Sequence, residues 1–248
     1  MECNLITVIT ITFNNIDGLL ATANSVNDQK TDKIEWVVID GGSNDGTSKF
    51  LDECDFVARY ISERDNGIYD AMQKGLHLAG GNRIVFLNAG DVFADSDAGE
   101  YIISHHTDAD VCFYACRVSG LGVDYIRKPR PLSSASYSVP AVQQATVYKR
   151  DVLLSIEWPT QYRVCGDFAL AAQLLARNAT YYCDNRVVAQ FELGGVSTLR
   201  PLALGLEAYN IQTQILELPL SLKILHFSRR LLTGYFVLAS YRLRALFH

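Results

Sequence analysis

The sequence predicts an α/β domain built on a mostly parallel sheet and extended at its C-terminus by helices. Three observations carry that expectation. Apolar, β-branched runs alternate with helix-period segments over roughly the first ninety residues, the pattern of parallel strands joined by crossover helices. Clusters of Gly, Asn and Asp follow those runs directly, where α/β sheets bind ligands, beyond the carboxyl ends of the strands. From Leu202 onward the chain reads as mainly helical.

The elements follow in order. Leu5–Thr12 is a buried strand, broken by Asn14 and Asn15, and Ile16, Leu19, Leu20, Ala23 and Val26 then recur at helical spacing. Trp36–Ile39 is a second strand ending on the loop 40–47, and Ser48–Glu53 is a short helix. Val57–Ser62 is a third strand; Ile68, Met72, Gly75, Leu76 and Ala79 share one helix face; Arg83–Leu87 is a fourth strand, stopped by Asn88-Ala89-Gly90-Asp91. The second half is less regular. Strands are expected at Asp110–Val118, Val123–Arg127, Ala145–Tyr148, Thr180–Cys183 and Val187–Phe191, a Pro/Ser-rich loop at Lys128–Pro140, and a helix at Asp167–Arg177. The expected division is one domain over 1–201 and a helical extension over 202–248.

Composition narrows the function classes. The chain has 248 residues, 49% of them apolar and 20% charged, and a net charge of −5. Disorder is excluded, and a nucleic acid polymer is not the expected partner, because phosphate binding needs a basic face. The charge is uneven: five basic and no acidic residues lie after Glu217, leaving 17 basic against 27 acidic before it. The body is therefore −10 and the tail +5. The six cysteines form no CxxC pair, which argues for reduced core thiols rather than a disulfide framework or a zinc site. The acidic N-terminus lacks the basic region and cleavage site of a secretion signal, and no apolar run reaches the ~18–20 residues needed to span a bilayer. A cytoplasmic location is expected.

Each polar cluster has a plain and a chemical reading. The Asp40–Thr47 loop lacks both the GxGxxG and the GxxxxGK[ST] patterns. It is either a turn with Asx caps or a place where glycines admit a ligand beside a hydrogen-bonding carboxylate. Asp91 is either a turn aspartate or a ligand for a hard divalent cation that also binds phosphate oxygens. Asp167 is either a helix cap or a general base for a hydroxyl nucleophile. Gly194-Gly195-Val196-Ser197 is either a loop or a set of backbone donors for a phosphate.

Taken in this order, the segments resemble family 2 glycosyltransferases of the GT-A fold, in particular the bacterial exopolysaccharide group that includes colanic acid glycosyltransferases. The resemblance covers about residues 5–200. It is carried by Val8–Asn14, Val38–Thr47, Ser62–Gly75, Phe86–Asp91, and Tyr162–Asp167 followed by Gly194–Ser197. It implies a nucleotide-diphospho-sugar donor, a divalent metal (Mg or Mn) and inversion at the anomeric carbon. It sets Phe13 and Asp40 against base and ribose and Asp65 along the nucleotide side. Thr12, Asn14, Gly41, Asn66, Gly67 and Asn88 complete the implied nucleotide-sugar-binding set. It puts Asp91 at the metal and diphosphate and makes Asp167 the base that deprotonates the acceptor hydroxyl. The usual DxD reads Asn88-Ala89-Gly90, with Asp91 one residue later, and Gln73 stands where asparagine is common. No QxxRW follows Asp167, so transfer of one sugar per encounter is expected.

Two rival readings stand beside it. A sugar-1-phosphate nucleotidyltransferase would want a basic, glycine-rich loop after the first strand, and Thr12–Gly18 has one glycine and no basic residue. An inactive binding or assembly subunit is the non-enzyme alternative. In the tail, Lys223, His226 and Arg230 form one helical stripe among apolar residues. That pattern suits either packing on the domain or a second subunit, or an interfacial helix on an anionic inner leaflet. The resemblance favours the leaflet, because such enzymes act on lipid-linked saccharide acceptors at the cytoplasmic face.

Overall fold

The computed structural model describes residues 5–105, 107–120, 122–193 and 200–245, with side chains as far as Ala239. The Gly194–Ser197 segment singled out above lies outside the described residues. The first ninety residues follow the expected alternation: β1 (Ile6–Thr12), α1 (Ile16–Asn27), β2 (Ile34–Asp40), α2 (Thr47–Glu53), β3 (Arg59–Ser62), α3 (Ile68–Leu78) and β4 (Arg83–Phe86). β1 pairs in parallel with β2 and β4, and β2 in parallel with β3. The loops after β1, β2, β3 and β4 therefore gather at one edge of the sheet, which is what places a site there.

Beyond β4 come β5 (Val92–Phe93), α4 (Ala98–His105), β6 (Val111–Gly120) and β7 (Val123–Arg127). A 3-10 turn (Leu132–Ser136) lies within the expected loop, and a second (Gln143–Ala145) leads into β8 (Thr146–Lys149). The chain continues through α5 (Arg150–Ser155), α6 (Gly166–Ala176), β9 (Tyr181–Glu192), α7 (Pro201–Gln214) and α8 (Leu220–Ala245). The sheet order is β3-β2-β1-β4-β8-β6-β9-β5, with β7 on β6. β8 is antiparallel to β4 and β6, and β9 is parallel to β6. The result is the expected mixed sheet with a parallel N-terminal half.

Several elements differ from the sequence reading. The two strands expected at 180–191 are one strand, β9, whose pairing with β6 shifts register around Ala115. β5, α4 and α5 were not expected.

Side chains alternate across the strands and divide the core by face. Ile9, Ile11, Val37 and Ile39 pack under α3 and α6, whereas Ile6, Val8, Trp36 and Val38 pack under α1 and α4. A third cluster joins Phe168, Ala169 and Ala172 of α6 to Ala208 and Ile211 of α7. The helical extension thus shares a core with the domain.

α8 corrects the expectation for the basic stripe. Lys223 Nζ lies 5.2 Å from the Tyr209 ring, His226 Nδ1 is 2.8 Å from Gln212 Nε2, and the Arg230 guanidinium stacks 4.5 Å over Phe168. The stripe faces the domain, because cations next to rings and buried polar groups find partners there that lipid would not supply. α8 also exposes apolar side chains, Leu225 (59%), Leu232 (73%) and Phe236 (74%), spaced along one face, with Ser228, Arg229 and Thr233 exposed among them. No described helix is long and apolar enough to cross a membrane.

Candidate active site

The loops at the carboxyl ends of the strands are tied to one another before they meet any ligand. Asn14, in the left-handed region (φ 49°), accepts from Asn44 N–H through its side chain and donates its own N–H to Ser43 Oγ. Asp45 accepts from Ile16 N–H at 2.9 Å. These bonds fix the turn after β1 against the turn after β2. Asp40 departs from its expected place at the ligand surface. It is fully buried, and its two carboxylate oxygens accept from the Ser43 N–H and hydroxyl and from the Ser62 hydroxyl. It holds the loop rather than presenting a carboxylate to it. Thr12 is also buried, and its Oγ1 has no hydrogen-bond partner.

Three of the expected residues converge on an open ledge. A Cβ on Gly41 would lie 2.8 Å from Asp65 Oδ2 and 3.2 Å from the Phe13 ring, so only glycine lets these side chains close on the backbone. Phe13 is 63% exposed, an aromatic face free to stack on a planar group. Asp65 Oδ1 accepts from Gly67 N–H, which orders the turn into α3.

Beside the ledge lies a cavity of about 810 Å³, lined among others by Asn66, Gly67, Asn88, Arg127, Asp167 and Arg230. That size suits a drug-sized or nucleotide-sized ligand. Asn88 sits on the turn after β4. The turn is anchored by Thr22, whose buried hydroxyl lies 2.8 Å from Asp91 O and 3.0 Å from Gly90 N. Asp91 lies behind the turn, and its Oδ2 accepts from Gln144 Nε2 at 2.7 Å and Asn88 N–H at 3.2 Å. Burial pushes its carboxyl up to about 7 against those two hydrogen bonds.

The turn carries oxygens of the kind a hard cation takes, though Asp91 is not among the residues lining the cavity. Asn88 Oδ1 is buried and accepts no hydrogen bond, and Asp91 Oδ1 accepts none from the described residues. A magnesium-type ion is commonly held by one or two protein oxygens together with substrate phosphates. Among the described residues there is no cluster of three His, Cys, Asp or Glu side chains.

Asp167 occupies the opposite wall, in the first turn of α6. Gly166 before it admits the Tyr69 ring so closely that a Cβ would lie 2.4 Å from it. Asp167 Oδ1 accepts from Phe168 N–H at 2.7 Å. Burial pushes its carboxyl above the usual range, opposed by that N–H and by the positive charges of Arg127 and Arg230. The loop before it is held from α7: the Glu207 carboxylate accepts from the backbone N–H groups of Arg163, Val164 and Cys165 at 3.0, 2.9 and 2.9 Å. An unpaired, partly desolvated carboxylate at a cavity wall can take a proton from a hydroxyl within hydrogen-bond reach.

The sequence reading did not place Thr22, Gln144, Glu207, Arg127 or Arg230 at the site. Each acts across a long chain separation, and a lone Glu on a helix carries no local signal.

The sequence profile described as "Glycosyl transferase family 2" matches residues 7–177, a span that includes both the ledge and Asp167. The chain belongs to glycosyl transferase family 2. An uncharacterized glycosyltransferase of Mycobacterium tuberculosis is 32% identical over 210 residues, covering 79% of this chain and 78% of that protein. A PGL/p-HBAD biosynthesis glycosyltransferase of Mycobacterium bovis is 27% identical over 210 residues, covering 79% and 80%. Among solved structures, residues 1–349 of S. aureus TarS superpose with a TM-score of 0.65 at 18% identity, covering 94% of this chain and 72% of that one. The mannosyltransferase PcManGT from Pyrobaculum calidifontis, in complex with GDP-Man and Mn2+, does so with a TM-score of 0.65 at 16% identity, covering 96% and 73%. These likenesses show the GT-A-like fold. The family 2 member described here is accordingly a glycosyltransferase.

Proposed function

We propose that this enzyme transfers one sugar, with inversion, from a nucleotide-diphospho-sugar to a hydroxyl of a lipid-linked saccharide in bacterial surface polysaccharide synthesis, of exopolysaccharide or colanic acid type. The observation that carries the reading is the unpaired Asp167 carboxylate facing a cavity that also reaches the turn after β4. The ledge of Phe13, Gly41 and Asp65 receives the nucleoside, with Asn66 and Gly67 beside it. Asp167 takes the proton of the acceptor hydroxyl as its oxygen bonds to the anomeric carbon. The bond from that carbon to the diphosphate breaks, with its electron pair leaving on the diphosphate. Asn88 and Asp91 would hold a Mg or Mn ion, which when bound neutralises negative charge on the leaving group. TarS in complex with UDP-GlcNAc and PcManGT with GDP-Man are fold-level support for the donor class.

The enzyme works at the cytoplasmic face of the membrane, docked through the apolar face of α8 that carries Leu225 and Leu232. Such a single helix binds reversibly. UDP-, GDP- and dTDP-sugars are screened for donor hydrolysis with Mg2+, Mn2+ or chelator, for the wild type and Asp167→Asn. One donor should be consumed, by the wild type alone and only with metal. Transfer by folded Asp167→Asn at the wild-type rate would overturn the base assignment. Activity undiminished by chelator would overturn the metal role of Asp91. Flotation with anionic vesicles, compared between the wild type and Leu225→Ser/Leu232→Ser, tests the docking face.

A further inference from the structure

The cavity is cationic in an acidic protein. Its wall carries four arginines, Arg127, Arg163, Arg200 and Arg230, against one carboxylate, Asp167, while the whole chain sums to −5. Among the described residues none of the four is ion-paired within 4.0 Å; the ion pairs that form lie elsewhere. Arg127 is held by one hydrogen bond to Val139 O at 3.2 Å, and Arg230 by one to Tyr137 O at 2.6 Å. Arg230 Nε is buried and, among the described residues, has no acceptor. Arg163 and Arg200 are exposed at the rim.

Two partly desolvated guanidiniums share the single Asp167 carboxylate as counter-charge, which leaves net positive charge incompletely compensated at a cost, and an N–H left unpaired adds to that cost. Arg stays protonated, so the cost is not relieved by losing the charge. A bound anion relieves it, and the planar donor fork matches phosphate oxygens.

We propose that Arg127 and Arg230, with Arg163 and Arg200 at the rim, form an anion subsite on the Asp167 side of the cavity that takes a phosphate or diphosphate group carried by the acceptor. The assignment to the acceptor rests on the reading of Asp167 as the base. It also gives the base a reason to act only with acceptor in place. The half-buried Arg127 and Arg230 lower the Asp167 pKa, and an anion seated on them offsets that pull and leaves the carboxylate more basic.

The donor's own diphosphate is the other source of the same chemistry, and the experiment separates the two. Titration calorimetry on the full chain measures inorganic pyrophosphate binding, alone and with saturating UDP or GDP, for the wild type, Arg127→Gln, Arg230→Gln and Arg163→Gln. Pyrophosphate should bind the wild type with nucleotide present. It should bind roughly 10- to 100-fold more weakly to Arg127→Gln or Arg230→Gln, and about two- to fivefold more weakly to Arg163→Gln. Nucleotide affinity should be unchanged in all three. Loss of pyrophosphate and nucleotide binding together would move the subsite to the donor and overturn the acceptor assignment. Pyrophosphate affinity equal to wild type in every folded variant would overturn the subsite itself. Arg163→Gln, at an exposed position, keeps the test open should Arg230→Gln not fold. Arginine-dependent pyrophosphate binding without binding or hydrolysis of any nucleotide-sugar would sink the donor reading and leave the subsite standing.

Discussion

Glu207→Gln is the substitution whose effect the geometry fixes most closely. The carboxylate accepts from three successive backbone N–H groups, at residues 163–165, immediately before Gly166 and Asp167. A glutamine keeps the length but has one acceptor oxygen, and its amide N–H group then faces a backbone donor. Exchanging charge-assisted bonds for at most one or two neutral ones, in a half-buried setting, costs about 2 kcal/mol. For a chain of this size that lowers Tm by roughly 4–8 °C. The loop that loosens carries Asp167, the proposed base, and a displacement of about 1 Å at a reacting group can cost 100-fold in rate. Scanning calorimetry and single-turnover transfer measured on the same preparation should therefore both respond. An unchanged Tm together with an unchanged rate would refute the claim that α7 positions Asp167. A lowered Tm with full activity would confine Glu207 to stability.

Asp167→Asn should remove roughly 100- to 10,000-fold of the transfer rate. In the wild type the rate should fall with acid at a pH above the ordinary carboxylate range, since burial raises this group and only its ionised form accepts the proton. The sign for stability is opposite. A folded-state pKa above the unfolded one contributes stability that is full below the unfolded value and is lost as pH rises through the folded one, so Asp167→Asn should raise Tm at neutral pH and match the wild type near pH 3. Gly166→Ala drives a Cβ into the Tyr69 ring and should cost about 1–3 kcal/mol by denaturant unfolding. Thr22→Val removes the buried hydroxyl that anchors the Asn88–Asp91 turn, and should cost about 1–3 kcal/mol while weakening donor binding.

Legibility follows how local each cause is. β1 to β4 and their helices were readable because β-branched runs and helix-spaced apolar residues each declare their period within one segment. β5 was not, because two residues, Val92 and Phe93, carry no period and exist as a strand only through pairing with β9. The ledge was half legible: Phe13, Gly41 and Asp65 stand in recognisable strings, whereas the burial of Asp40 depends on Ser62 from the neighbouring strand. Glu207 reaches residues 42 to 44 positions earlier, and no spacing rule links them. The stripe of Lys223, His226 and Arg230 was visible as a stripe, but a helical period does not say which side faces the protein, and Tyr209, Gln212 and Phe168 decide it.

The placement of Arg230 couples two events that occur at different ends of the chain. Through Arg230, one face of α8 reaches the cavity wall, and the opposite face is open to the surroundings. Whatever holds the outer face in this pose also holds the cavity wall in place, so its binding free energy and that of a ligand inside are linked. By thermodynamic reciprocity, a surface that tightens ligand binding by some factor must itself be bound more tightly, by the same factor, once the ligand is present. Binding at the outer face and binding inside the cavity would then be coupled through α8 itself.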